Sequence, residues 1–330
     1  MQLTTGLSTP SSKFYSAPFK AEKNLESSSI QNGHDTRMNK ICINLLLSLF
    51  LFSNCAQAKG PVKLADFGIS TGSSVTQGKP NTQCPQFQVF GYPTASDPKI
   101  LRRAFYTCRI GYAGFYDPAE RTPLWISEHL VKSDLAGDAD RNGMDFIADP
   151  DIPSGAMPKP SDYSKSGYDK GHMAPAADFK SSEAAMIATF QFANAVPQTP
   201  ESNRHIWKDL EESTRELANR RGELYVITGP IYTTAPRIKL KDRVSIPDAT
   251  YKILIDPKAR SMTGFIVPNT NSLSKNFRNY QVKVREIEKP TGLDFNSLLT
   301  SSEADKLEVV AGGDWIMPSA RSKNKDVSLN

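Results

Sequence analysis

Two short polar stretches constrain this chain more than anything else in it. The first is Tyr168-Asp169-Lys170-Gly171-His172-Met173-Ala174-Pro175; the second runs from Asn194 through Gln198, Asn203 and Trp207 to Glu211. The first offers one histidine beside a cation, on a turn that the glycine allows. The second offers carboxamides at 194, 198 and 203, then a carboxylate at 211 in a segment patterned as a helix. Together they supply a base, a hard-metal ligand, a water-orienting acid and positive charge, the parts for metal-assisted attack of water on a phosphodiester.

Asn203 stands where a helix N-cap would stand. Apolar residues at 206, 207, 210, 214 and 217 then give a helical stripe that closes at Arg220-Arg221-Gly222. On such a helix residues 203, 207 and 211 lie one turn apart on one side. Asn203 and Glu211 therefore face one site with Trp207 between them, while His205 points elsewhere and leaves His172 as the candidate base. Magnesium keeps most of its waters and needs only one or two protein oxygens, so a carboxamide with an outer carboxylate suits it better than zinc. A neutral histidine can take a proton from an attacking water, and Arg141 and Lys170 can hold charge developing on phosphoryl oxygens. The spacing alone also allows plainer roles, with Asn203 a cap, Glu211 paired with Lys208 or Arg215, and His172 structural.

Around these stretches the pattern is mixed. Segments 87–92, 103–113 and 112–116 read as strands, and Pro123 to Val131 as another strand with room for a helical turn. His129 there reads as a partly buried histidine held by a local hydrogen bond. A helix is expected from Ser181-Ser182-Glu183 through Phe190, and strands at 223–230, 250–255 and 264–267, with Asp256 to Arg260 as a hairpin turn. Strands and helices interleave without a βαβ rhythm, which predicts an α+β fold with a central, mostly antiparallel sheet flanked by helices.

The amino-terminal region reads as an address and not as structure. Met38-Asn39-Lys40, an apolar run from Ile41 to Phe52 and Ala56-Gln57-Ala58 have the form of a secretory signal over 38–58. Residues 1–37 are polar and serine-rich, a disordered leader or the product of an upstream start codon. After signal removal no membrane anchor is expected, and the protein is placed in a periplasm or outside the cell. Only Cys84 and Cys108 then remain, and in an exported chain they suggest a disulfide worth about 3 kcal/mol, with two buried thiols as the alternative. Residues 59–83 form an extended lead-in, 84–299 the main domain and 300–330 a loose tail. The formal charge of +5 permits a polyanionic partner without arguing for one.

Two further motifs are set aside. Gly68-Ile69-Ser70-Thr71-Gly72 fits a nucleophile elbow, but no helix-forming sequence follows it. Asp138 to Asp149 is spaced like a calcium loop, yet Pro150 and Pro153 forbid the exiting helix, so a solvated acidic loop is expected.

The two polar stretches together resemble the DNA/RNA non-specific endonucleases of the ββα-metal group, which include mitochondrial endonuclease G. The family signature is D-R-G-H, a short apolar-Pro segment, then N-x3-Q-x4-N-x7-E with a Trp in the last interval. This chain has Asp169-Lys170-Gly171-His172, then Asn194, Gln198, Asn203, Trp207 and Glu211 at those spacings. The likeness runs from about Cys84 to Leu299 and includes Arg121 to Trp125, Arg141 to Phe146 and Tyr225 to Pro230.

The resemblance implies a ββα-metal (His-Me finger) motif and hydrolysis of DNA and RNA to 5′-phosphate ends, with contacts mainly to phosphates. It implies His172 as general base, Asn203 as the ligand of Mg2+ (with Mn2+ as a substitute), and Glu211 holding a metal-bound water. Asn194 and Gln198 would orient substrate or metal waters, Arg141 would contact phosphate, and Asp169 would fix the loop. Lys170 departs from the family arginine, keeping the charge but losing the two-pronged grip. A homodimer is compatible with the sequence.

Overall fold

The computed structural model describes residues 74–77, 84–308 and 315–319. The leader, the expected secretory signal and the Gly68–Gly72 pattern lie outside the described residues. The strands, in chain order, begin with β1 (Ser74–Gln77), β2 (Thr94–Ala95), β3 (Phe105–Cys108), β4 (Tyr112–Asp117) and β5 (Thr122–Val131). Next come β6 (Asp169–His172), β7 (Ala195–Gln198), β8 (Glu223–Ile231), β9 (Lys239–Leu240) and β10 (Val244–Ser245). The last are β11 (Ala249–Asp256), β12 (Ser261–Pro268), β13 (Gln281–Val282) and β14 (Leu293–Asp294). The α-helices are α1 (Pro98–Arg103), α2 (Pro160–Tyr163), α3 (Glu183–Ala188), α4 (Lys208–Arg221), α5 (Val284–Thr291) and α6 (Ser301–Glu308).

Eight strands form the central sheet in the order β1-β3-β4-β5-β8-β11-β12-β13, and every neighbouring pair is antiparallel. This is the α+β architecture that the interleaved pattern predicts. Successive side chains of a strand point to opposite faces, so each central strand feeds two cores. Along β11, Tyr251, Ile253 and Ile255 enter the core that holds Tyr106, Trp125 and Phe295. Leu254 enters the other, with Trp207, Leu210 and Leu217, and Lys252 shares its face. Fully burying one large apolar side chain stabilises by about 1.5–3 kcal/mol, so both layers contribute substantially.

Helix α4 forms where its stripe predicts, burying Leu210, Ser213, Thr214, Leu217 and Ala218. It ends with Arg220 and Arg221 in the last turn and Gly222 at φ 94°, a conformation that glycine adopts without Cβ strain. Cys84 and Cys108 form the expected disulfide, with Cα atoms 5.9 Å apart, inside the core away from α4.

Several local expectations change. Residues 87–92 are not a strand; Pro85–Phe87 is a 3-10 turn, set by the fixed φ of its leading proline. Segment 103–113 is broken, because Arg103 ends α1 and residues 109–111 turn between β3 and β4. Helix α3 stops at Ala188, short of Phe190. The expected tail contains α6, which buries Leu307 and Glu308, and residues 315–318 pack back, with Ser213 Oγ donating to the Pro318 carbonyl at 2.7 Å. The acidic loop is not solvated throughout, since Asp149 is buried in a two-pronged bond from Arg109 at 2.5 and 2.6 Å.

Candidate active site

The two polar stretches become one unit. β6 and β7 pair antiparallel, Asp169 opposite Gln198 and His172 opposite Ala195, and the chain then turns into the helix that continues as α4. Gly171 sits in extended backbone within β6, so the expected turn is absent and the glycine serves another purpose. A Cβ there would lie 1.9 Å from Gln198 Oε1, so only glycine lets the carboxamide pack across the strand.

Asn203 is not an N-cap. The helix begins ahead of it, with Asn203 N–H bonded to the Thr199 carbonyl at 2.9 Å, and Ser202–Trp207 is wound as a π-helix. Such wide turns recur at functional sites, and here the winding leaves the Asn203 side chain free of capping. Its Nδ2 donates to Asp169 Oδ2 at 3.0 Å. Arg204 holds the same carboxylate with two bonds, at 2.7 and 2.8 Å. Partial burial raises the Asp169 carboxyl, but these donors outweigh it and hold the group below its ordinary range. With the amide nitrogen committed, Asn203 Oδ1 is the atom left for a cation.

His172 lies between two aromatic rings, 4.6 Å from Phe146 and 4.8 Å from Phe190, centroid to centroid. Trp207 Nε1 donates to its carbonyl at 3.3 Å, which places Trp207 behind the base. Burial, with Arg141 and Lys170 nearby, lowers the imidazole to about 3, so it is neutral at physiological pH. Its Nε2 is buried without a hydrogen-bond partner.

Glu211, Asn203 and His172 line one cavity of about 270 Å³ together with Arg141, Lys170, Arg204 and Lys208. Burial lifts Glu211 to about 7, against the pull of Lys252 and Arg215. Lys170 pairs with Asp145 and lies 5.4 Å from the Phe146 ring centre; Arg141 lies 5.3 Å from the Phe190 ring centre. His205 is exposed beside Glu201, as its helical position predicts, and His129 bonds Glu223 on the sheet.

Asn194 and Gln198 are not in the cavity. Asn194 is fully buried, accepting from Ala174 N–H and donating to the Ala174 and Thr189 carbonyls, each at 2.9 Å. All of its amide is spent on backbone, so it fixes the segment after His172 and does not orient substrate. Gln198 is also fully buried, donating to Thr250 Oγ1 at 3.3 Å.

Sequence reasoning misses a charged layer beneath the cavity. Arg215 reads in the sequence only as a partner for Glu211, yet it binds Asp178 at 2.6 Å and faces both carboxylates. Lys252 is buried on β11, donating to Thr228 Oγ1 at 3.1 Å with its ammonium 5.0 Å from the Trp207 ring centre. Glu128 on β5 is buried with both oxygens unpartnered, and burial with the neighbouring Asp178 charge pushes its carboxyl well above the ordinary range. A lysine within an apolar strand gives no signal in the sequence; only the register across β8 reveals it.

The donor set suits a divalent cation. A neutral carboxamide oxygen and a nearby carboxylate are hard oxygen donors, and an unpaired imidazole faces them. Among the described residues no helix is long and apolar enough to cross a membrane.

Residues 86–302 match the model of the DNA/RNA non-specific endonuclease family. The mitochondrial nuclease EXOG of Danio rerio is 36% identical over 234 residues, covering 66% of this chain and 66% of that protein. A nuclease of Nostoc sp. is 34% identical over 233 residues, covering 67% of this chain and 84% of its own. The chain spans between 56% and 66% of the length of the vertebrate EXOG relatives it matches. A chain in the crystal structure of the EndoG/EndoGI complex, on the mechanism of EndoG inhibition, superposes with a TM-score of 0.59 at 26% identity, covering 68% of this chain and 95% of that one. On the extent of these matches, the chain belongs to the DNA/RNA non-specific endonuclease family.

Proposed function

We propose that the protein is an exported, magnesium-dependent endonuclease that hydrolyses DNA and RNA phosphodiesters with little sequence preference, leaving 5′-phosphate ends. The observation that carries this reading is the convergence of a neutral His172, the free Oδ1 of Asn203, Glu211 and four cations on one cavity. Asn203 would hold the cation and Glu211 one of its waters; when bound, the ion supplies Lewis acidity at the phosphoryl group.

His172 takes the proton of the attacking water as its oxygen bonds to phosphorus and the bond to the 3′ oxygen breaks, the departing oxygen taking a proton from solvent water to become the 3′-hydroxyl. Its neutrality leaves it free to accept. Arg141 and Lys170 hold the charge that builds on the phosphoryl oxygens, and Arg204 and Lys208 extend the positive lining along the cavity. Arg215 and Lys252 favour the ionised form of Glu211 against its burial. Contacts of this kind address phosphates and carry no base information, which accounts for the low sequence preference. Export is supported by the 38–58 pattern together with the Cys84–Cys108 disulfide, which persists in oxidising compartments.

Purified residues 59–330 are incubated with supercoiled plasmid and with total RNA, in magnesium and in EDTA, beside His172→Ala. Magnesium-dependent nicking that the variant lacks is the expected result. Retention of nucleic acid on a gel without cleavage, in magnesium or manganese, would replace this reading with a binding relative of the same fold. The engagement of Lys170 by Asp145 is what favours that second reading.

A further inference from the structure

Away from the cavity just described, α5, β14 and α6 meet around a second cavity of about 190 Å³. Glu288, Asp294 and Glu308 each present a carboxylate oxygen there, and the three oxygens lie within 4.8 Å of one another. Glu308 is only 2% exposed, so at least one of these carboxyl groups is held out of water. Arg285 approaches Glu308 at 3.4 Å but also pairs with Asp305, so it offsets one carboxylate at most.

An independent observation concerns Asn296, which lines the same cavity and is 1% exposed. Its Nδ2 donates to Glu308 Oε1 at 2.5 Å, and its Oδ1 is buried with no hydrogen-bond partner. A buried carbonyl oxygen without a donor costs about 1–3 kcal/mol. A cation satisfies all four.

We propose that Glu288, Asp294, Glu308 and Asn296 Oδ1 form a second, structural cation site selective for calcium. The three carboxylate oxygens, all within 4.8 Å of one another, are close enough to share one ion at calcium's ligand distances of about 2.3–2.6 Å, whereas magnesium keeps more of its waters and is seldom held by an all-protein set of oxygens. Exposed Asp294 leaves one side open for the waters that complete the shell. The ion clips α6 to the body of the domain through β14 and α5.

The full chain carrying Asn203→Ala, which disables the first cation position, is dialysed against radiolabelled calcium and melted in calcium and in EDTA. One bound ion and a calcium-dependent rise in melting temperature of about 2 °C or more are expected, with a weaker response to magnesium. Adding Asp294→Asn or Glu288→Gln removes both the ion and the rise, while the EDTA melts match or exceed that of the parent, since a neutral amide relieves the crowding of carboxylates. Both substitutions keep an oxygen acceptor for the backbone bonds that these side chains receive. No calcium uptake by the Asn203→Ala chain, or uptake that either second substitution leaves undiminished, would overturn the proposal. A chain that is stabilised by acid and indifferent to calcium would overturn it too, since the carboxylates would then be sharing a proton.

Discussion

Asp169 Oδ2 accepts the Asn203 Nδ2 proton at 3.0 Å and thereby decides which end of that carboxamide meets the cavity. A strand residue thus orients a helix residue 34 positions later in the chain. Asp169→Ala frees the amide to rotate, and loss of such an orienting partner typically lowers metal affinity about 10–100-fold. The magnesium concentration for half-maximal plasmid nicking is expected to rise by that factor, with cleavage recovered at saturation. An unchanged magnesium dependence would remove Asp169 from this role.

Glu211, lifted to about 7, sets the pH dependence of cation binding. Below about 7 a proton competes with the ion, so magnesium affinity falls as much as tenfold per pH unit and levels off above it. Magnesium titrations of activity at pH 6, 7 and 8 measure this directly.

The His172 contribution to stability has the opposite sense from that of a stabilised cation. Its folded value, about 3, lies below its ordinary 6.5, so between these values the unfolded chain binds the proton and the folded chain does not. Stability due to this group therefore falls as pH drops from about 6.5 towards 3. In urea melts at pH 7.5, 5.5 and 4.5, His172→Asn is expected to gain on the parent as the pH falls. The Glu211 contribution is common to both chains and cancels in the difference.

Asn194→Ala strands an N–H and two carbonyls in a dry interior. A loss of about 3 kcal/mol or more is expected in urea unfolding, at the rate of about 1–3 kcal/mol per unsatisfied group. Activity at low temperature should fall far less than it does in His172→Ala.

Lys252→Met removes the cation that most favours the ionised forms of Glu128 and Glu211. Breaking a buried charge arrangement from one side costs about 3–5 kcal/mol, and Glu128→Gln in the same chain is expected to recover part of it. A double-mutant cycle on unfolding free energy gives the coupling.

The elements whose pattern is periodic were legible without coordinates: α4 from its stripe, the β11–β12 hairpin from two apolar runs about a short polar turn, and the antiparallel sheet from the mixed order of elements. At the site, His172, Asn203, Glu211, Arg141 and Lys170 line one cavity as their spacing and the family likeness imply. What the sequence hid was direction. Asn194 and Gln198 carry the same amide chemistry as Asn203, and only burial separates the two that hold backbone and strand from the one that faces the cavity. The Asn203 cap was misplaced because a π-helix carries no residue signature, and β6 was misjudged because glycine serves close packing as readily as turning. Lys252 and Glu128 escaped because their charges lie in strands that otherwise read as apolar.

The Cys84–Cys108 bond belongs to the layer on the far side of the sheet from the catalytic cavity. It ties the start of the main domain to β3, the second strand of the sheet, and touches none of the groups that would meet a phosphate. A cell that reduced it would leave the chemistry intact and shorten the life of the molecule that performs it. Oxidation is thus expected to set how long the fold lasts, separately from the groups that line the cavity.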